Sequence, residues 1–136
     1  MKYQAIIVLL LAVSGCARSS DGQQAEEPQK AVLEASSEKG LRLSEKAIQT
    51  LELASSPSGS SSVHSVLNDS LVHFQDQVGV YRLRDGWYKL VVVKVLERGA
   101  ARSSVASDAL RPGDQVVTHG TALLRVAEMA AFDSGE

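Results

Sequence analysis

The sequence predicts a mainly β fold: a small barrel or sandwich of about six strands with one or two short helices, following a signal peptide and a flexible linker. Three observations carry this expectation. Val78 to Leu83 and Trp87 to Leu96 are apolar, β-branched runs joined by Asp85-Gly86, a dipeptide suited to a two-residue hairpin turn. Pro112-Gly113 suits the centre of a type II turn, because proline sets φ at the first position and glycine supplies a positive φ at the second. From Thr121 the apolar period becomes helical: Leu123, Leu124, Ala127 and Ala131 recur at helix spacing, and Arg125 and Glu128 are expected to face water.

Composition limits the function classes. The 136 residues are enough for one domain with appendages. A net charge of −2 supplies no basic excess for nucleic acid, and one Trp, three Tyr and two Phe are too few for a stacking platform. A single cysteine excludes an intrachain disulfide and a multi-cysteine zinc site.

Lys2 followed by the apolar run Ala5 to Val13 has the form of a signal-peptide core, since a membrane span needs about 20 apolar residues. The run ends in Val13-Ser14-Gly15-Cys16, which resembles the bacterial lipobox. That resemblance implies cleavage before Cys16 and acylation of both its thiol and the new amino terminus. More than one acyl chain holds a protein stably on a bilayer, at about 0.8 kcal/mol per buried CH₂. The chain is then periplasmic and membrane-tethered, and Ala17 after the cysteine, in place of aspartate, points towards the outer membrane.

The expected organisation is a signal peptide over residues 1–15, an acylated cysteine and flexible linker over 16–40, and a β-domain over 41–136. The linker is rich in Ser, Gln, Glu and Lys. Leu41 and Leu43 alternate as in a strand, Ser44 and Glu45 suit the start of a short helix, and Ala47, Ile48 and Leu51 give it an apolar side. Leu53 begins an extended piece, and Ser55 to Ser62 reads as linker. Val63 to Leu67 and Leu71 to Phe74 are strand candidates around an Asn68-Asp69-Ser70 turn. In Trp87 to Leu96, Val91, Val93 and Val95 line one face and Leu90, Val92 and Leu96 the other, which predicts a strand covered on both sides. Arg102 to Val105 is a further short strand.

The order hairpin, valine-rich strand, Val105, Ser107, Leu110, Pro112, Gly113, Asp114, Val116, Val117, Gly120, Leu123, Leu124 resembles the C-terminal region of periplasmic adaptor subunits, the membrane fusion proteins of RND-type and heavy-metal efflux systems. Leu43 to Leu53 is similar to the stretch those adaptors carry near their mature N-terminus. The resemblance covers about two-thirds of the chain. It implies an adaptor cut down to its membrane-proximal part, with Leu41–Leu53 as the outgoing end and Leu110–Met129 as the returning end packed beside it. The sequence departs from the pattern at Asp108-Ala109, where adaptors carry a glycine, and at Val66 to Leu71, where they show a proline. It also lacks the α-helical hairpin that reaches an outer-membrane channel.

The implied role is that of a non-enzymatic, lipid-anchored accessory protein docking on a pump or a full-length adaptor. The alternative is a free-standing envelope lipoprotein whose β-domain binds a cell-envelope component or a metal ion. Trp87-Tyr88 is a candidate contact patch, against simple packing across the hairpin. His64, His73 and His119, with Met129 as a soft ligand, are the residues a metal would need, but their separations match no compact ligand motif and no metal site is assigned. Asp85, Gly86, Pro112, Gly113 and Asp114 are read as turn-forming residues, with Asp108 and Asp114 solvating and capping their turn. No G-x-S-x-G elbow exposes a serine nucleophile, and no cofactor beyond the lipid on Cys16 is expected.

Overall fold

The computed structural model describes residues 31–133 of the 136-residue chain, so Cys16, the signal-peptide segment and most of the linker lie outside the described residues. The mainly β class with short helices holds, with nine strands where about six were expected. They are β1 (Val32–Ser36), β2 (Gly40–Leu43), β3 (Ala54–Pro57), β4 (Val63–Leu67), β5 (Val72–Phe74), β6 (Gln77–Arg84), β7 (Trp87–Arg98), β8 (Arg102–Ala106) and β9 (Gln115–His119). The helices are α1 (Glu45–Thr50) and α2 (Thr121–Asp133), and Asn68–Ser70 form a 3₁₀ turn. No helix among the described residues is long and apolar enough to cross a membrane.

The strands form one open, branched sheet with the path β1-β2-β7-β6-β9-β3, while β5 adds to β6 and β8 joins β7 to β4. The additional strands fall in segments read as tether or linker. β1 pairs antiparallel with β2, and β3 pairs with β9. Neither has a strong apolar alternation of its own; each is held extended by the ladder its neighbour offers. The ordered domain therefore starts before residue 41, within the stretch read as tether.

β6 and β7 form the centre, paired from Val78↔Val93 to Arg84↔Trp87. Asp85 (φ 51) and Gly86 (φ 81) both adopt positive φ, as a type I′ hairpin turn requires. β7 is apolar on both faces, but each face is covered at a different end. At the N-terminal end Tyr88 and Leu90 join Leu41, Leu43, Ala47, Tyr81, Val117 and Leu124 in a cluster roofed by α1 and α2. Further along, Val91 and Val93 join Val66, Val80, Val105, Leu110 and Val116 on the opposite face, under the β4–β8 wing. The full two-sided cover expected for this strand is not present: Val92 and Leu96 are each 49% exposed.

Ser44 caps α1, its hydroxyl accepting from the Ala47 amide at 3.1 Å. α2 turns Leu124 fully into the core, yet Arg125 and Glu128 do not face water as expected. The buried Tyr81 hydroxyl donates to Glu128 Oε2 at 2.7 Å, and Arg125 Nη1 donates to the same oxygen at 2.7 Å. Burial and the adjacent Glu128 carboxylate raise the Tyr81 pKa well above its ordinary value, so the phenol stays a donor. The polar edge of α2 is thus drawn onto the sheet. Leu123, Val126 and Met129 turn outward, at 54%, 63% and 51% exposure.

The outgoing and returning ends lie together: Leu41, Leu43, Ala47, Leu51 and Leu53 share a cluster with Val117 and Leu124. The segment after them, read as linker, joins the same strand. Ser55 to Pro57 pair with Val117 to Gln115, and the Ser58 amide donates to the Asp114 carbonyl at 2.9 Å. Gly120 (φ 80) marks the closest approach, where a Cβ would stand 2.6 Å from the Leu51 carbonyl oxygen and 2.7 Å from Leu53 Cδ2. Gly113 (φ 92) has nothing within 4 Å of the corresponding position. Gly113→Ala should therefore lose only the left-handed backbone term, about 1–2 kcal/mol. Gly120→Ala should lose distinctly more, because backbone must move. Urea denaturation of the two variants checks the difference, and equal losses would contradict this packing.

Candidate binding cleft at the hairpin end

Seven residues singled out from sequence converge at one end of the sheet. The Asp85-Gly86 hairpin turn and the Arg111–Asp114 turn sit side by side, and Arg84, Asp85, Gly86, Tyr88, Gly113 and Gln115 line a shared depression with Leu83 and Ile48. The Pro112-Gly113 turn closes with the Asp114 amide donating to the Arg111 carbonyl at 3.1 Å. The link between the turns is Arg84, whose Nε and Nη2 each donate to Asp114, at 2.6 Å to Oδ1 and 2.6 Å to Oδ2. The Arg111 amide donates to the same carboxylate at 2.7 Å, so Asp114 caps its turn and also anchors a guanidinium fork.

The side chain of Asp114 is 4% exposed and that of Arg84 27%. The hydrogen bonds from Arg84, with the Arg111 amide, hold the Asp114 carboxyl below its ordinary pKa against the opposing effect of burial, and the same fork raises Arg84. Arg82, two residues earlier on the same face, has no such partner. Its Nη1 donates to the Ala109 carbonyl at 3.1 Å, and its buried Nε has no hydrogen-bond partner. Burial, with repulsion from Arg84 and Arg111, lowers its pKa against the attraction of Asp114.

Trp87 and Tyr88 separate. Strand alternation puts them on opposite faces: Tyr88 is 5% exposed inside the helix-covered core, while Trp87 lines a surface cleft of about 360 Å³ with Glu38, Lys39, Arg82, Arg84 and Asp85. Of the proposed contact pair, only Trp87 is available to a partner. Lys39 Nζ stands 5.6 Å from the Trp87 ring centroid, and Lys89, beside Arg82 in the ladder, donates its ammonium to the Glu38 carbonyl. Lys39, Arg82 and Arg84 were not singled out from sequence. Period-two alternation from the hairpin turn places Arg82, Arg84 and Trp87 on one face and was the available signal.

The histidines stand apart. His64 is buried on β4 with Nδ1 2.6 Å from the Ser58 carbonyl oxygen, His73 on β5 lies 3.5 Å from Arg98 Nη2, and the exposed His119 ends β9 3.7 Å from Glu52. Among the described residues, no group of three His, Cys, Asp or Glu side chains is placed to hold a metal ion.

Asp114→Asn keeps the shape of the side chain and removes the charge that the fork needs. It should destabilise the domain by about 2 kcal/mol at neutral pH. Because the folded pKa of Asp114 lies below the ordinary 3.8, its contribution is present above that pH and is lost as pH falls through the depressed value. The gap between wild type and variant should therefore close in acid. Denaturation midpoints from pH 7 down to 2 measure it, and a gap independent of pH would rule out this origin.

No protein-family model matches the chain, and no curated protein or solved structure matches it.

Proposed function

We propose that the chain is a non-enzymatic, lipid-anchored module of the bacterial envelope, acylated at Cys16, whose β-domain docks on the periplasmic part of an RND-type efflux pump or on a full-length adaptor. The observation that supports this most is the core cluster that Leu41, Leu43 and Ala47 of the outgoing end share with Val117 and Leu124 of the returning end. The two ends that, in adaptor-like organisation, leave and re-enter the membrane-proximal domain pack side by side. Gly120 of the adaptor-like motif sits at their closest contact.

A docking role also suits the surface. The outward strip of α2, formed by Leu123, Val126 and Met129, is apolar and half or more exposed, the character of a surface made for contact. The role of such a module is to hold and orient a partner near the membrane rather than to transform a substrate.

The test is co-purification of the acylated protein from its own membranes in mild detergent, alongside Cys16→Ser and Val126→Glu. Wild type should retain a pump or adaptor subunit. Val126→Glu, exposed and thus near-neutral for folding, should reduce that retention about tenfold or more. Cys16→Ser should leave the chain without its acyl mass and out of the membrane fraction. Absence of a pump or adaptor from the wild-type complex would overturn the reading.

A further inference from the structure

The cleft beside Trp87 has a charge pattern that the docking role does not use. Its charged lining is mixed: Lys39, Arg82 and Arg84 against Glu38 and Asp85. Arg84 is committed to Asp114 through two hydrogen bonds. That leaves Arg82 half-buried with no carboxylate hydrogen-bonded to it: Nη1 donates to the Ala109 carbonyl, Nε is unpartnered, and repulsion from Arg84 and Arg111 opposes the attraction of Asp114. A desolvated cation in that position is stabilised by an incoming anion. Lys39, poised over Trp87, is a second cation at the same opening. Glu38 and Asp85 at the rim would repel a purely anionic ligand and attract an ammonium group.

We propose that this cleft binds a zwitterionic phosphodiester headgroup of the phosphoethanolamine kind, with its phosphate on Arg82 and Lys39, its ammonium towards Glu38 and Asp85, and its chain side against the Trp87 indole. A volume of about 360 Å³ takes a headgroup and leaves the acyl chains outside. Trp87, apolar in body with one N–H donor, is the residue type that settles at a membrane–water interface. The chain outside the described residues supplies the source. Fifteen residues separate Cys16 from Val32, which opens β1. Fifteen residues span at most about 50 Å, so an anchor at Cys16 keeps the domain within that distance of the membrane. Lys39 lies in the turn that follows β1, the first strand after the anchor segment. The lipid source rests on acylation of Cys16; the headgroup chemistry of the cleft does not.

Trp87 is the only tryptophan in the chain and so reports on its own cleft. Full-length protein in a maltoside detergent is titrated with glycerophosphoethanolamine, glycerophosphoglycerol and inorganic phosphate. The protein is then placed in vesicles with and without phosphatidylethanolamine, and the mass of the Cys16 peptide is measured in parallel. Glycerophosphoethanolamine should change the Trp87 emission saturably. Lys39→Gln, an exposed change, and Arg82→Gln should each weaken that response about tenfold, the loss of one charge-assisted contact. Glycerophosphoglycerol and phosphate should bind more weakly, and Trp87 should be shielded from acrylamide only in phosphatidylethanolamine vesicles.

No Trp87 response to the ethanolamine headgroup, or an unchanged response in Lys39→Gln, overturns the site. Equal binding of phosphate overturns the zwitterion assignment. Response to the soluble headgroup without shielding in vesicles overturns the lipid source and leaves a free phosphodiester as ligand. An unacylated Cys16 peptide defeats the anchor, and the lipid source with it, while the soluble titration still decides the cleft.

Discussion

The fork from Arg84 to Asp114 joins two parts of the chain that otherwise share no ladder of their own length. Arg84 ends β6 and Asp114 opens the way into β9, and only two residue pairs, Arg82↔Val116 and Leu83↔Gln115, connect those strands directly. A short ladder of this kind is a weak hinge. Two charge-assisted bonds plus the Arg111 amide turn it into a fixed corner. The returning end of the chain then sits in one register, which carries Val117 and Leu124 into the core and brings Gly120 against Leu51. The same commitment of Asp114 to Arg84 leaves Arg82 with only the longer-range attraction of that carboxylate and no hydrogen bond to it, so one interaction both closes the fold and shapes the electrostatics of the neighbouring cleft.

The second organising constraint is the length of β7. At twelve residues it is too long for a single layer to cover. Helices cover its start on one face and the β4–β8 wing covers its middle on the other, with a register shift between Val95 and Glu97 where the wing departs. Two moderate cores result. Open surface is left where each cover stops: the Trp87 end of one face and the Val92–Leu96 end of the other.

What could be read from the sequence was what local chemistry decides. Asp85, Gly86 and Gly113 adopt positive φ, which only a few residue types tolerate, and Pro112 fixes the negative φ before Gly113, so both turns were visible without any partner. The Ser44 cap was visible for the same reason. β1 and β3 were not, because Val32–Ser36 and Ala54–Pro57 are extended only through the strands they pair with. Arg125 and Glu128 looked like solvent-facing residues because polarity alone cannot show that a buried tyrosine needs an acceptor. Trp87 and Tyr88 were grouped by adjacency, where the strand period already put them on opposite faces. Arg84–Asp114 depends on the packing of β6 against β9, a fact of topology that no single segment contains. Leu41–Leu53 and Leu110–Met129 lie side by side, through the cluster with Val117 and Leu124 and the approach of Gly120 to Leu51.

The main path of the sheet ends on β1 and β3, and their composition has a consequence for assembly. An uncovered strand edge invites a strand from another molecule, and proteins discourage this with irregular pairing, charge or proline. β1 carries a register shift between Val32 and Glu34 together with the Glu34 charge, and β3 finishes on Pro57, which has no N–H to offer. Continuing the sheet into a neighbouring chain is disfavoured at both margins. At these two margins it is side chains on the faces, rather than bare backbone, that are left to choose a partner.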